Sequence, residues 1–364
     1  GTLCVQPCGP QFAEKHPAIG GSQSMSKILQ VQKKLVPDLL QVMKKRYDIL
    51  HRILVSGTMG RRSLAASLDL TERTLRAELD LLREQGLLEA GTAGMTLSET
   101  GRRLLEEMEP LVKELFGLSE LEEAVRAKFG LRQVVVVAGD SDSSDEVKRE
   151  LGRAGGRVLG QMLAPGDIVA VMGGTTMASM SAHFKVSSPL QDNWFVPARG
   201  GLGESVDYQA NTIAAQLAKK TGARSRMLHV PDHLSEEAYQ TIMMEPNVRE
   251  VVDMIRRAHI VVHGIGDATT MARRRKLDDR TIETLLRDGA LAEAFGYYFN
   301  SSGEVMHRTA NAGLHLEDIE AARTVIGLAG GRSKGEAIAA VLKFGHDDIL
   351  VTDEAAAEEA LKHG

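Results

Sequence analysis

Apolar residues recur at spacings of three and four along Leu39, Leu40, Met43, Tyr47, Leu50 and Ile53. That period predicts one amphipathic helix, with Pro37 near its first turn and Gly57 and Gly60 as its stop. Ser63 to Leu68 predicts a second, short helix, and Asp69-Leu70 a tight connection. Thr71 is an N-cap type and opens a third helix that runs to about Gln85, where Gly86 closes it. Leu87 to Leu97 reads as a small hairpin around Gly91-Thr92-Ala93-Gly94, and Ser98 caps a leucine-rich helix. That helix carries Leu104, Leu105, Met108, Leu111, Val112, Leu115, Leu118 and Leu121 through residues 101–130, as a linker or a dimerisation segment.

After Leu131 the rhythm changes. Short β-branched runs alternate with helical patterns at Val134–Val137, Ile168–Met172, Phe195–Val196, Arg226–Val230, Ile260–His263, Tyr297–Phe299, Val325–Leu328 and Ile349–Val351. Such alternation predicts a mostly parallel sheet with helices on both faces. The expected fold is a small winged helix-turn-helix domain, residues 25–113, followed by a doubly wound α/β domain, residues 114–364.

Composition narrows the class. A chain of 364 residues, 43% hydrophobic and 26% charged, has the balance of a globular protein of two or three domains. No run approaches 18 apolar residues, so no helix is expected to span a membrane. The only cysteines are Cys4 and Cys8, which excludes a disulfide framework or a cysteine metal site and favours the cytoplasm. Residues 1–24 lack the charged start and apolar run of a signal peptide and read as a disordered leader, with Met25 the expected start.

Net charge is −5, yet from Lys27 to Arg62 nine lysines and arginines face only Asp38 and Asp48. A local excess of seven is the footprint that phosphate contacts require. On the third helix Leu75, Leu79 and Leu82 share the inward face, while Arg73, Thr74 and Arg76 point away from it near the N-terminus. That end of a recognition helix meets base edges, and a hairpin wing meets the backbone. Arg61, Arg62 and Thr71 complete the expected DNA-binding set. The competing reading is a three-helix adaptor with solvated charges.

Four expected strands end in glycine-rich turns: Gly173-Gly174-Thr175-Thr176, Arg199-Gly200-Gly201, His263-Gly264-Ile265-Gly266 and Gly330-Gly331-Arg332-Ser333-Lys334. In an open parallel sheet the ligand crevice lies outside the carboxyl ends of the strands. Glycines there admit oxyanions to backbone N–H groups and helix starts. Thr175 and Thr176 add hydroxyls, and Arg199 and Lys334 add charge. Neither a Walker phosphate loop nor a dinucleotide fingerprint is present, so a phosphorylated ligand that is not a nucleotide is favoured. Glu293, with Gln209 as a weaker candidate, could accept from sugar hydroxyls, although a solvated carboxylate reads equally well at that position.

With GGTT (173–176), PARGG (197–201), HGIG (263–266), EAFGYYFN (293–300) and AGGRSK (329–334) behind a winged helix-turn-helix, the chain resembles the SorC-type bacterial transcription regulators. The likeness runs from about Met25 to the C-terminus and includes QKKLVPDLLQVMKKR (32–46) and GRRSLAASL (60–68). It implies a repressor of a glycolytic operon, with an effector domain like the sugar-phosphate isomerases and fructose 1,6-bisphosphate as allosteric inducer. Ligand contacts then fall on Thr175, Thr176, Arg199, Gln209, Glu293 and Lys334, with the motif glycines Gly173, Gly174, Gly200, Gly201, Gly264 and Gly266. The partners implied are operator DNA and further copies of the chain, as a dimer or a tetramer on DNA; no cofactor or metal is expected. The alternative is a sugar-phosphate isomerase or deaminase with an added N-terminal domain, for which Asp267, His263 and Glu293 are candidate bases.

Overall fold

The computed structural model describes residues 21–57, 60–92, 94–201 and 205–364. By its contacts the chain divides into two units, Gly1–Phe116 and Gly117–Gly364. Of the expected leader, residues 1–20 lie outside the described residues. Residues 21–24 are a correction, because they form the first turn of a helix. That helix is anchored further along, where Leu29 is buried with Leu40, Met108 and Leu115.

In the first unit the helices are α1 (Gly21–Leu35), α2 (Pro37–Ser56), α3 (Arg61–Ser67) and α4 (Glu72–Glu84). A hairpin of β1 (Leu88–Gly91) and β2 (Gly94–Leu97) follows, then α5 (Glu99–Leu115). Thr71 caps α4, its hydroxyl accepting from the Thr74 N–H at 3.1 Å. Ser98 caps α5 by accepting from the Gly101 N–H at 2.9 Å, and it donates to the Gly86 carbonyl at 2.6 Å. One side chain therefore ties the end of α4 to the start of α5 across the wing. Ile49, Leu50, Ile53, Leu64, Leu75, Leu79, Leu82, Leu88 and Leu97 form the core beneath.

The leucine-rich segment is two helices, not one. Gly117 takes a left-handed conformation (φ 72°), a backbone state that favours glycine, and α6 starts anew at Leu118–Phe129. The apolar period carries on through the break, so periodicity alone hides it.

The second unit continues with β3 (Gln133–Val137), α7 (Asp145–Met162), β4 (Ile168–Val171), α8 (Thr175–His183), β5 (Trp194–Pro197), α9 (Ala210–Thr221) and β6 (Arg224–Ser225). Next come α10 (Glu236–Ile242), α11 (Pro246–Arg256), β7 (Ile260–His263), β8 (Gly266–Asp267), α12 (Ala268–Arg274) and α13 (Asp279–Arg287). The chain ends with β9 (Ala292–Ala294), β10 (Tyr297–Phe299), β11 (Val305–Arg308), α14 (Leu316–Ala321), β12 (Thr324–Leu328), α15 (Gly335–Phe344), β13 (Ile349–Asp353) and α16 (Glu354–Lys362).

Seven of these strands form one parallel sheet in the order β3-β13-β12-β7-β4-β5-β6. Every residue of β4, β7, β12 and β13 is buried, as a sheet covered on both faces requires. On one face Val169, Val171, Ile260, Val262, Ile326 and Leu328 pack with Leu151, Val158, Met177, Ile213 and Leu217 from α7, α8 and α9. The direction of winding reverses between β4 and β7, which places a topological switch point there.

Two expected strands differ. Residues 226–230 are not a strand: Asn211 accepts from the Leu228 N–H at 2.9 Å and donates to its carbonyl at 2.9 Å. An amide side chain fills the place of a neighbouring strand. Tyr297–Phe299 is not in the parallel sheet. It belongs to a four-stranded sheet ordered β11-β10-β9-β8, in which every pairing is antiparallel. There Phe295 (φ 59°) and Gly296 (φ 84°) make the tight turn that joins β9 to β10.

Candidate functional sites

In the first unit Arg61, Arg62, Thr71, Arg73, Thr74 and Arg76 are all exposed. Thr71 is spent on its cap, and Arg62 meets Glu72 at 3.1 Å. Arg73 and Arg76 have no hydrogen bond or ion pair among the described residues, so their guanidinium groups are available to a partner. Two cations of the basic stretch are committed instead. Lys45 and Arg46 bind Glu78 at 2.6 and 2.9 Å, and against the cost of partial burial they hold its carboxyl below the usual glutamate range. This pair joins α2 to α4 behind the exposed face.

In the second unit a cavity opens at the switch point. Nine of the twelve residues expected around the effector line it: Gly173, Gly174, Thr175, Thr176, Arg199, Gly264, Gly266, Glu293 and Lys334. Met271, Ile265, Phe295 and Leu328 add apolar wall, and Arg274 and Arg275 add charge that sequence reading missed. The run Arg273-Arg274-Arg275-Lys276 looks like a solvated helix end. Only its position after β8 turns two of its arginines to the cavity.

At one end the hydroxyls of Thr175 and Thr176 stand on the first turn of α8, whose N–H groups lack helical partners and favour an anion. The Lys334 side chain is half-buried, and its ammonium makes no hydrogen bond or ion pair among the described residues. Burial and the nearby Arg274 hold its ammonium below the usual lysine range, against the opposing pull of Asp142. A half-buried, unpaired cation favours an incoming anion.

The other end is already neutral. Arg199 donates to Asp232 through both Nε and Nη2, and Arg275 donates to Glu293 at 2.8 Å, with all four side chains at most 6% exposed. The expectation of Arg199 as a free phosphate cation is therefore corrected, since its fork is spent on a carboxylate. Three buried donor atoms there still lack hydrogen-bond partners: Arg199 Nη1, Arg275 Nε and Arg275 Nη1. Tyr298, which pairs with Glu293 across the hairpin, keeps an unpartnered hydroxyl whose pKa burial pushes up to about 12. Nor is Glu293 a solvated carboxylate. This end suits hydroxyl groups more than a second full charge.

Three expected residues lie elsewhere, and the physical reasons are local. Gly200 abuts the Val230 carbonyl, where an added Cβ would come within 2.5 Å. Gly201 donates to Val230 at 3.0 Å and accepts from Asp232 at 2.8 Å, so its N–H is closed to an oxyanion. Both glycines instead bring the Asp232 segment to Arg199. Gln209 occupies the N-cap position of α9 beside Gly201 and does not line the cavity. Gly174 likewise spends its N–H on the Tyr208 carbonyl, at 2.8 Å.

The AGGRSK turn holds another correction. The N–H groups of Gly331, Arg332 and Ser333 donate to Asp353, Asp140 and Asp142 at 2.8, 3.2 and 2.8 Å, and the Ser333 hydroxyl donates to Asp142 at 3.0 Å. Only the side chain of Lys334 reaches the cavity from this turn. The candidate bases are occupied too: His263 is fully buried against Asp347 at 2.5 Å, and Asp267 caps α12 through Thr270.

Among the described residues no helix is long and apolar enough to cross a membrane, and no cluster of side chains is arranged to hold a metal.

Comparison with known proteins identifies the family of each part of the chain. The sugar-binding domain family matches residues 113–362, and the CggR N-terminal DNA binding domain matches residues 42–112. The chain is 48% identical over 339 residues to the central glycolytic genes regulator of Priestia megaterium, covering 93% of this chain and 99% of that protein. The protein of the same name from Bacillus subtilis is 46% identical over 338 residues, covering 93% and 99%. Among solved structures, a SorC family transcriptional regulator from Enterococcus faecalis is 41% identical with a TM-score of 0.62, covering 66% of this chain and 99% of that one. The full-length sorbitol operon regulator from Klebsiella pneumoniae, 20% identical with a TM-score of 0.62 over 86% and 96%, shares the fold.

Proposed function

The chain belongs to the sugar-binding, SorC-type family of transcriptional regulators, with a DNA-binding domain before its sugar-binding domain, and from that premise we propose that it represses a glycolytic operon and releases it when fructose 1,6-bisphosphate binds. It is a regulator and not an enzyme, as its relatives are named. The occupied states of His263, Asp267 and Glu293 fit that, since none is a base left open to a substrate carbon.

The observation that carries the reading is the unpaired, half-buried Lys334 in the same cavity as the α8 N-terminus and Arg274. A phosphate there meets a cation, two hydroxyls and a helix dipole together. The sugar then extends toward the Arg275 and Glu293 end, where the arginines keep unpartnered donor atoms. The ligand acts as effector and no cofactor is required. In the cytoplasm the regulator binds its operator as a dimer or higher oligomer, with Arg73 and Arg76 on the reading helix.

The test is a thermal-shift screen of glycolytic phosphosugars. A ligand specific to the native state raises the melting temperature with concentration. Fructose 1,6-bisphosphate should give the largest rise; no rise at millimolar concentration would rule out the proposed effector.

A further inference from the structure

Three consecutive N–H groups, on Gly331, Arg332 and Ser333, each donate to a different carboxylate of the chain itself. Such a row of N–H groups at a helix start is where an external oxyanion would be expected. Here Asp353, Asp140 and Asp142 fill it. The fit is close: Gly331 has φ 100°, and a Cβ on it would come within 2.3 Å of Asp142 Oδ1. From the other side α16 closes in, with a Cβ on Gly335 reaching 2.4 Å from Glu359 and Arg332 paired to Glu358 at 3.0 Å. The N–H groups of Gly331, Arg332 and Ser333 are thus committed, while the Lys334 side chain is left to the cavity.

We infer that Asp142 is a positioning residue for effector binding, holding the 331–333 turn so that the Lys334 side chain projects into the cavity. The inference rests on the reading that the cavity binds fructose 1,6-bisphosphate. A lysine ordered in advance loses less freedom when it meets a phosphate, so the cost of binding falls. Asp142 also acts on charge. The groups that bear on the Lys334 ammonium are Arg274 and Lys148, which oppose it, and Asp142 and Asp353, which favour it. Without the Asp142 carboxylate the ammonium loses its proton at lower pH. The two effects share one origin and separate Asp142 from a residue that only stabilises a loop.

The test compares the parent, Asp142→Asn, Lys334→Ala and the double variant, titrated by calorimetry with fructose 1,6-bisphosphate across neutral and alkaline pH. Asp142→Asn should weaken binding about tenfold, the scale of one charged hydrogen bond. Its alkaline loss of affinity should begin at lower pH than in the parent. The double variant should bind about as Lys334→Ala does, because Asp142 acts through Lys334. The inference is overturned if Asp142→Asn binds like the parent, if its pH profile is unmoved, or if the two losses multiply in the double variant. A parent that binds no fructose 1,6-bisphosphate overturns the functional reading itself and this inference with it; a parent that binds while Asp142→Asn behaves normally overturns the inference alone.

Discussion

Arg275 donates to Glu293 at 2.8 Å in a space where neither side chain is more than 6% exposed, and the pair lies against a second one, Arg199 with Asp232. Two positive and two negative groups balance one another beneath the cavity. Burying such charges is costly, and the arrangement holds only while each keeps its partner. Removing one carboxylate leaves a guanidinium buried without compensation. Glu293→Gln should therefore lower stability by about 3 kcal/mol, read as a shift in the urea midpoint. An unshifted midpoint would show that water or relaxation compensates the arginine.

A bound phosphate reverses the electrostatics of Lys334. In the free protein burial and then Arg274 lower its pKa; an adjacent dianion raises it again. Binding therefore takes up a proton in the window between the free and bound values, and affinity falls as pH rises through that window. Calorimetry in buffers of different ionisation enthalpy should detect this uptake on the alkaline side. Lys334→Ala should abolish it, because the guanidinium of Arg274 does not titrate there.

On the proposed function, Arg73 and Arg76 are the residues that read DNA. Arg73→Ala should cost about 1–3 kcal/mol and relax specificity if the side chain meets a base edge. If it meets a phosphate, all sequences should weaken alike and the salt slope should shrink by about one. Operator titrations over a range of salt separate the two outcomes, and equal binding by both alanine variants would move the reader off α4.

A symmetric operator requires two reading helices held at a fixed spacing, which one copy of this chain cannot supply. Light scattering should find at least a dimer at micromolar concentration. A monomer both free and on DNA contradicts this.

Much of the architecture was legible because its signals are local. Thr71, Ser98 and Pro37 mark helix starts by their own chemistry, and the buried runs Ile260–His263 and Ile349–Val351 stand out by composition. The cavity was legible in outline, since glycine turns after parallel strands can only gather at one edge of the sheet. What stayed hidden depends on partners distant in sequence. Asp232 pairs with an arginine 33 residues away, and Asp142 with a serine 191 residues away; nothing nearby in the sequence announces either. Arg199 looked like a free cation for the same reason. The segment 226–230 misled because a side-chain amide, Asn211, meets Leu228 where strand pairing was expected.

On the proposed function, a sugar phosphate held by Lys334 weakens operator binding made by a separate unit. An effector can do so only through unequal affinity for the two states of the protein. The direct measurement is operator titration of the parent and of Lys334→Ala, each with and without saturating fructose 1,6-bisphosphate. The parent should bind its operator more weakly when the sugar phosphate is present, and Lys334→Ala should change little. Operator affinity unaffected by the sugar phosphate in the parent, or a full response in Lys334→Ala, would contradict it.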